Sequence, residues 1–493
     1  MNAIPAAVII LAAGEGTRMK SATPKVLHRI GGHALLGHAI RAARATGSAH
    51  VEVVVRHQRD LVVDYCTAFD SRLVIADQDE VKGTGRAVEC GLDALPEGLD
   101  GTVLVTSGDV PLIDGATLVA LAQAHAASGA AVTVVTAEVP DPTGYGRIIR
   151  DADGVAAIRE HKDATDVERE IREINSGIWA FDAAVLKEAL TRVGTDNAQG
   201  EKYLTDVLAL AKAGGHRVGA HRIEDVWQTE GVNDRVQLAT LGRELNRRTC
   251  ERHMRAGVTI VDPATTWIDT DVSIGPDTTI LPGTQLLGAT SIGAGAVVGP
   301  EVTLTDTEVG DRATVKRAEA NLAVIGADAS VGPYPYLRPG TELGAHGKIG
   351  GFVETKNAVI GEGAKVPHLT YAGDVTIGEG ANIGAGTIFA NYDGVAKHHT
   401  TIGKHSFIGS DTVIVAPVDV ADGAYVAAGS ALTKDVEPGE IAVARGTQRN
   451  VAGWVARARA GTKTEAAAQA AREAGTRHTD STTPATREDE EIS

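Results

Sequence analysis

Hydrophobic and polar positions divide the chain into regions with different patterns. Up to about residue 235, short β-rich apolar runs alternate with Ala/Leu-rich helical stretches. The segments are 7–12, 35–45, 50–55, 61–69, 102–106, 116–127 and 132–137. This alternation predicts an α/β fold with a mostly parallel sheet covered by helices on both faces. Ligands of such folds bind at the carboxyl ends of the strands.

A charged segment follows and contains few of the helix-breaking residues glycine and proline. Its apolar residues are Val236, Leu238, Leu241 and Leu245. This spacing favours a helix, and the many charges favour an exposed one. We therefore predict an exposed linker helix over 236–256, after a first domain at 1–235.

After Gly257 the helical pattern is replaced by recurring Ile-Gly and Val-Gly pairs. The aliphatic residues of these pairs stand at 274, 292, 298, 309, 325, 331, 349, 360, 377, 383, 402 and 408. Steps of six or three times six are typical of a hexapeptide β-helix, in which the aliphatic side chain points inward. We predict a left-handed parallel β-helix over 257–455, with the non-repeating residues 389–400 as a protruding loop.

The last residues, 456–493, contain almost no large apolar side chains. Such a segment cannot bury a core, so we predict a largely disordered tail.

Charge and cysteine content restrict the class of protein. Lys and Arg number 47 against 64 Asp and Glu, a net charge of −17, which disfavours nucleic acid as a partner. Three widely separated cysteines exclude a CxxC motif, and no apolar stretch approaches the ~20 residues that span a bilayer. We expect a cytoplasmic protein without membrane insertion.

A first candidate site follows the first apolar run. Glycines at 14 and 16, then Arg18 and Lys25, suit phosphate oxygens, although a Gly-rich turn after a strand is equally often a plain turn. Asp109 follows another strand, where it is either a ligand of a hard cation or an ordinary turn residue.

A second candidate site consists of polar residues that interrupt the hexapeptide pattern between 338 and 445. Cations there suit a sugar phosphate, and His368 suits removal of a proton from an amine. The alternative is that these residues only solvate a face of the β-helix. We assign no metal to the adjacent His398 and His399, because neighbouring residues of a strand face opposite ways.

Several motifs carry a family resemblance. LAAGEGTRM with PKVL, QDEVKGTG, GDVPL, DPTGYGRI, EHKDA, NSG, NAQGE and EGVND resemble the Rossmann-like nucleotidyltransferase domain of sugar-nucleotide pyrophosphorylases. Residues 1–455 as a whole resemble the bacterial bifunctional N-acetylglucosamine-1-phosphate uridylyltransferases/glucosamine-1-phosphate N-acetyltransferases.

The resemblance implies roles for individual residues of the first half. UTP and UDP-N-acetylglucosamine would be bound by Leu11, Ala12, Ala13, Gly14, Arg18, Lys25, Gln78, Gly83, Thr84, Gly146, Glu160, Asn175 and Asn233. Asp109 and Asn233 would hold Mg²⁺. Ser107 and Lys202 differ from many relatives, and we expect neither to touch a proposed ligand.

Roles in the second half are implied in the same way. His368 matches the catalytic base. Glucosamine phosphate would be bound by Arg338, Lys356, Tyr371, Asn382 and Lys397, and acetyl-CoA by Ala385, Asn391, Tyr392, Ser410, Ala428 and Arg445.

The resemblance therefore implies an enzyme with two activities. It would acetylate glucosamine-1-phosphate and then transfer UMP from UTP, giving UDP-N-acetylglucosamine, a precursor of the bacterial cell wall. The flat faces of a three-sided β-helix pack naturally around a threefold axis, so we also expect a homotrimer whose acetyl site is shared between chains. One alternative is a pyrophosphorylase with a single activity, whose β-helix only assembles subunits. Another is a binding or scaffold protein with a decayed transferase domain.

Overall fold

A computed structural model describes residues 4–152, 154–197 and 199–474. The elements of the first half, in chain order, are β1 (Ala7–Leu11), β2 (Arg29–Ile30), β3 (His33–Ala34), α1 (Leu35–Ala45), β4 (His50–Val55), α2 (Arg59–Phe69), β5 (Val74–Asp77), α3 (Thr84–Ala94), β6 (Thr102–Ser107), α4 (Gly115–Ser128), β7 (Val132–Glu138), β8 (Gly146–Asp151), β9 (Gly154–Arg159), α5 (Asp166–Arg169), β10 (Glu173–Asp182), α6 (Ala183–Arg192), α7 (Asp206–Ala213), β11 (Val218–Arg222) and α8 (Arg235–Arg255). Short 3₁₀ turns lie at Thr17–Met19, Lys25–Leu27 and Val226–Thr229.

The main sheet has the strand order β11-β7-β10-β6-β1-β4-β5. Its strands are parallel except β10, which runs antiparallel to β6 and β7 and also carries the β8–β9 hairpin. Alternate residues of β1 face two cores. Ile9 packs with α3, α6 and α7, whereas Ile10 packs with α1, α2 and α4. The predicted sheet with helices on both faces is confirmed, and the antiparallel strand is an addition that the apolar pattern did not indicate.

The second half consists of short parallel strands. They are Thr259–Ile260, Trp267–Ile268, Ser273–Ile274, Thr279–Ile280, Gln285–Leu287, Ser291–Ile292, Val297–Val298, Thr303–Thr305, Glu308–Val309, Thr314–Val315, Glu319–Asn321, Ala323–Ile325, Ser330–Val331, Tyr336–Leu337, Thr341–Leu343, Lys348–Gly351, Glu354–Ile360, Lys365–His368, Tyr371–Ile377, Asn382–Ile383, Ile388–Ala390, Thr400–Ile402, Phe407–Ile408, Val413–Val415, Val418–Val420, Tyr425–Val426, Ala431–Leu432 and Ile441–Ala442.

Apart from those of the last coil, each short strand pairs with a strand one coil later, which makes a parallel β-helix. Ile280 is in register with Val298, a step of 298 − 280 = 18 residues or three hexapeptides. All of the predicted inward positions are buried except Ile274, which is half-buried near the open start of the stack. Ile377 pairs with Ile402, a step of 402 − 377 = 25 residues, and the extra residues lie in the predicted loop at 389–400.

Helix α8 is less exposed than predicted. Asn246 is buried, donating to the Thr266 carbonyl at 2.7 Å and accepting from the Ile268 amide at 2.9 Å. Leu241 packs in a core cluster with residues of the first half. The expectation of an exposed linker is therefore wrong, because one side of this charged helix supplies hydrogen bonds to the first coil of the β-helix.

Contacts divide the chain into two compact units, the first ending at Ala442 and the second beginning at Val443. The second unit contains α9 (Trp454–Ala458) and α10 (Lys463–Glu473), neither with a buried residue. Helix α10 replaces predicted disorder because its sequence is Ala-rich and the Thr462 side chain caps its first turn. Residues 475–493 of the predicted tail lie outside the described residues.

A buried acid in the first half generates a prediction. Glu52 on β4 is 0% exposed, and neither carboxylate oxygen has a hydrogen-bond partner among the described residues. Burial raises its pKa from 4.5 to about 8. Between these values the unfolded chain is deprotonated while the folded chain keeps its proton, so stability falls as pH rises from about 4.5 to 8.

Glu52→Gln should remove that part of the pH dependence. Denaturant unfolding of both proteins at several pH values in this range would measure it. Parallel stability profiles for the two proteins would contradict the assignment.

Candidate active sites

A cavity of ≈ 380 Å³ opens where β1 and β6 end. Its lining includes nine of the residues predicted for the first site, which are Leu11, Ala12, Ala13, Gly14, Lys25, Gln78, Gly83, Thr84 and Asp109. It also includes residues to which the sequence analysis gave no role, such as Arg56, Lys82 and Glu201. Lys82 belongs to the motif QDEVKGTG, and its place between the predicted residues Gln78 and Gly83 is the feature that could have identified it.

The turn after β1 depends on a glycine. Gly16 has φ +61°, and a Cβ atom there would lie 2.6 Å from the Lys25 Cβ. A side chain at this position would displace the segment that carries Lys25 into the cavity. The glycine is therefore required both by its backbone conformation and by a close approach.

Asp109 is the centre of the polar contacts in this cavity. Its carboxylate accepts from the Lys25 ammonium and, at 2.7 Å, from the Ser107 hydroxyl. Its backbone carbonyl accepts from the Val232 amide at 2.9 Å, which brings Asn233 to the same place. The expectation that Ser107 touches no proposed ligand is wrong, because its hydroxyl donates to the carboxylate of Asp109, the proposed Mg²⁺ ligand two positions later.

Arg18 does not line the cavity. It donates instead to the Asn233 side-chain oxygen at 2.8 Å. The two oxygen donors predicted for Mg²⁺ therefore lie on adjoining segments, and each contacts a cationic side chain. A carboxylate and an amide oxygen in this arrangement fit a hard cation that also binds phosphates.

The residues predicted for the sugar are also brought together. Asn175 on β10 is in register with Gly146 on β8. A Cβ at Gly146 would make ordinary contacts with the Asn175 Cβ at 3.4 Å and a Glu160 oxygen at 3.5 Å, but a tight one of 3.1 Å with the Ile158 Cγ2. Gly146 therefore lies directly against both other residues predicted for the sugar. Burial raises the pKa of Glu160.

A neighbouring hydrogen bond was not predicted. The Tyr145 hydroxyl donates to Glu230 at 2.9 Å, and Glu230 lies three residues before Asn233. Both residues belong to recognised motifs, DPTGYGRI and EGVND, but the spacing of those motifs gives no indication that they touch.

His368 lies at the end of a β-helix strand and lines a second cavity, of ≈ 570 Å³. Ala385 also lines this cavity, together with the exposed Phe352 and Leu369. The imidazole is exposed, so it is accessible to a substrate amine.

The predicted phosphate-binding cations form a cluster. The neighbouring Lys397 ammonium, with a smaller contribution from Arg338, lowers the pKa of Lys356. Arg338 itself donates to Glu354 at 2.9 Å. Repulsion between like charges held close together favours binding of an anion.

Next to this cluster lies a carboxylate that the sequence analysis missed. Asp374 accepts from Asn357 at 2.9 Å and from Asn391 at 2.5 Å. Asn391 also donates a longer bond of 3.4 Å to the Tyr371 hydroxyl. Asp374 thereby fixes one of the predicted acetyl-CoA residues beside one of the predicted sugar-phosphate residues.

The small residues predicted for acetyl-CoA form a column. Ile383, Ile408 and Val426 are in register on successive coils. Ala385, Ser410 and Ala428 each follow two residues later and so occupy one corner of the prism.

Three predicted residues of the second half, Tyr392, Asn382 and Arg445, have other neighbours. Tyr392 pairs with Lys397 across the 389–400 loop, and Asn382 lies on a strand between Lys365 and Phe407. Arg445 belongs to the second compact unit. His398 contacts Asp393 at 2.7 Å, whereas His399 contacts Thr376 at 3.0 Å.

Comparison with known proteins covers both halves. Residues 8–174 match the MobA-like NTP transferase domain, and residues 399–434 match the hexapeptide repeat of succinyl-transferase. Bifunctional protein GlmU of Kineococcus radiotolerans is 59% identical over 480 residues, covering 97% of this chain and 98% of its own length. The chain belongs to the GlmU family.

Other GlmU relatives are similar over the same extent. Bifunctional protein GlmU of Pseudarthrobacter chlorophenolicus is 59% identical over 473 residues, covering 95% of this chain and 96% of its own. That of Streptomyces avermitilis is 58% identical over 474 residues, covering 96% and 98%. The family resemblance predicted from the motifs is confirmed. Among the described residues, every helix is too short or too polar to cross a bilayer.

The contact between Ser107 and Asp109 generates a prediction. Ser107→Ala removes a hydrogen bond that orients a proposed Mg²⁺ ligand, and such losses weaken metal binding by about tenfold. The Mg²⁺ concentration that gives half-maximal UDP-N-acetylglucosamine formation should therefore rise by about that factor.

Ser128→Ala is a matched control, because the Ser128 hydroxyl donates to the His125 carbonyl at the end of α4. An unchanged Mg²⁺ dependence of Ser107→Ala would show that the hydrogen bond does not orient a metal ligand.

Proposed function

We propose that the chain makes UDP-N-acetylglucosamine in two reactions at two separate sites. The observation that carries the proposal is that each half of this GlmU-family chain gathers the side chains that its own reaction requires. The β-helix transfers an acetyl group from acetyl-CoA to glucosamine-1-phosphate. The α/β domain joins the product to UMP from UTP and releases pyrophosphate.

In the first reaction, His368 is the general base. Its imidazole takes a proton from the sugar amine as the amine attacks the thioester carbonyl. The carbon–sulfur bond then breaks, and the CoA thiolate leaves and takes up that proton as the thiol. Arg338, Lys356 and Lys397 bind the phosphate of the sugar. The lowered pKa of Lys356 supports this role, because a phosphate between the ammonium groups relieves their repulsion.

The acetyl donor is placed along the corner column. The small side chains of Ala385 and Ala428 leave room for a pantetheine arm beside the prism, and Ser410 lies between them. Asn391 and Tyr392 approach from the loop, and Arg445 is the proposed partner for a phosphate of CoA.

In the second reaction, an anionic phosphate oxygen of the sugar phosphate attacks the α-phosphorus of UTP in line, so no protein base is needed. Lys25 and Arg18 neutralise phosphate charge by exchanging their present oxygen partners for phosphate oxygens. Asp109 and Asn233 would hold Mg²⁺, which when bound supplies further charge neutralisation.

Selectivity comes from two groups of residues around this site. Gln78, Gly83 and Thr84 read the uracil edge by hydrogen bonds. Gly146, Glu160 and Asn175 hold the N-acetylglucosamine ring. Leu11 to Gly14 line the same cavity and would contact the nucleotide.

A single-activity pyrophosphorylase does not account for the second site. A β-helix used only for assembly needs neither an exposed histidine in a cavity nor crowded lysines, which are costly without an anion. UTP and acetyl-CoA are cytoplasmic metabolites, so we propose a cytoplasmic location.

Separate variants test the two-site proposal. Asp109→Ala should reduce UDP-sugar formation by at least about a hundredfold while acetyl transfer stays near normal, and His368→Ala should do the reverse. Each reaction is measured alone by mass spectrometry, with N-acetylglucosamine-1-phosphate supplied for the second. Loss of both activities in a folded single variant would disprove independent sites.

We further propose that the active form is a homotrimer whose acetyl site is shared between copies. Beside His368, the rings of Tyr334 and Phe352 stack 5.3 Å apart and are 55% and 64% exposed, and Leu369 is 61% exposed. A second copy packed on these apolar groups would convert an open cavity on a prism into a groove.

Mixed trimers test the shared site. A His368→Ala chain and an Arg445→Ala chain, each inactive alone, should regain part of the acetyl transfer when refolded together. Native mass spectrometry verifies the mixing. Absence of recovery in proven mixed trimers, or an active monomer in light scattering, would contradict this proposal.

A further inference from the structure

Residues 201–205, named here the clamp segment, lie against the loop that carries the uracil-reading residues. The Lys202 amide donates to the Lys82 carbonyl at 3.0 Å, and the Lys202 carbonyl accepts from the Gly85 amide at 2.8 Å. The Leu204 amide donates to the Thr84 hydroxyl at 3.2 Å. Three hydrogen bonds therefore join two segments that are more than a hundred residues apart.

The two backbones also touch directly. Gly83 has φ +116°, and a Cβ atom there would lie 2.3 Å from the Lys202 carbonyl oxygen. Because no space separates the segments, a shift of Lys202 displaces Gly83.

The bond to Thr84 has a chemical consequence. A hydroxyl has one proton to donate and two lone pairs that accept. Since the Leu204 amide occupies one lone pair, the Thr84 hydroxyl keeps its proton for a ligand in the cavity that it lines. The clamp segment thus helps to set this hydroxyl as a donor, which suits a uracil carbonyl.

An ion pair anchors the clamp segment. The Lys202 ammonium lies 2.8 Å from a Glu89 oxygen on α3, and the two side chains are only 13% and 21% exposed. Arg86 also contacts Glu89, at 2.7 Å. Glu89 therefore keeps one cationic partner if Lys202 is neutralised, so such a variant leaves no unpaired buried charge.

The other end of the clamp segment reaches the sugar side. The Thr205 hydroxyl donates to Glu160 at 3.4 Å, and Glu201 lines the nucleotide cavity. One short segment therefore contacts residues assigned to the uracil and a residue assigned to the sugar.

We propose that Lys202 is a positioning residue for uridylyl transfer. Through its ion pair with Glu89 it fixes the clamp segment, which holds the uracil-reading loop and couples it to Glu160. This inference rests on the proposed function of the first site.

The test compares Lys202→Met, which keeps the aliphatic stem, with Glu89→Gln and the double variant. Lys202→Met should raise the KM for UTP by about fivefold with little change in kcat, because the lysine positions the loop without touching reacting atoms. The double variant should be no worse than the more affected single variant. Lys202→Arg should restore most of the affinity.

Lys212→Met is the matched control, because Lys212 on α7 pairs with Asp151 at 2.8 Å away from the cavity. Its KM for UTP should not change. Acetyl transfer and melting temperature of every variant verify folding.

An unchanged KM for UTP in Lys202→Met, a fall confined to kcat, or additive effects of the two substitutions would overturn the proposal. Absence of UDP-N-acetylglucosamine formation by the unmodified chain would instead refute the proposed function itself. The two failures are therefore distinguishable in one assay.

Discussion

A stack of parallel coils begins with backbone groups that have no coil before them, and the structure depends on how these groups are satisfied. Helix α8 does this with Asn246, whose amide is hydrogen-bonded on both sides to the first coil. The same helix begins at Arg235, two residues after Asn233, with the Asp234 side chain as its cap. One element therefore starts the β-helix and supports the edge of the nucleotide cavity, which explains why a helix so rich in charge is partly buried.

The features that the sequence predicted well are those set by short-range periodicity. The hexapeptide spacing identified the inward residues, and the break in that spacing located the 389–400 loop. Contacts between distant segments were not predictable in this way. The hydrogen bond from Ser107 to Asp109, the position of Asp374 between two amides, and the antiparallel strand β10 depend on tertiary packing. Motif resemblance gathered the candidate residues, but only the structure shows their partners.

The cationic side chains of the two candidate sites differ in the groups that they contact before a phosphate binds. In the α/β domain, Lys25 and Arg18 already contact the side chains of Asp109 and Asn233, so an incoming phosphate competes with existing partners. In the β-helix, Lys356 lies close to Lys397, so an incoming phosphate relieves repulsion. The chain as a whole has a net charge of −17, so in both arrangements the positive charge that would meet a phosphate is confined to the site.

The register of the coils has a consequence for the spacing of the two sites. Because parallel strands stack about 4.8 Å apart, each coil adds a fixed rise along the prism. The column of Ala385, Ser410 and Ala428 and the His368 side chain keep their orientation whenever a whole coil is inserted or removed before them. The distance between the two sites along the β-helix therefore changes in multiples of one coil. Inserting or removing one whole coil would change it by one step without altering the orientation of either site, whereas extra residues that loop out, as at 389–400, leave the strand register unchanged.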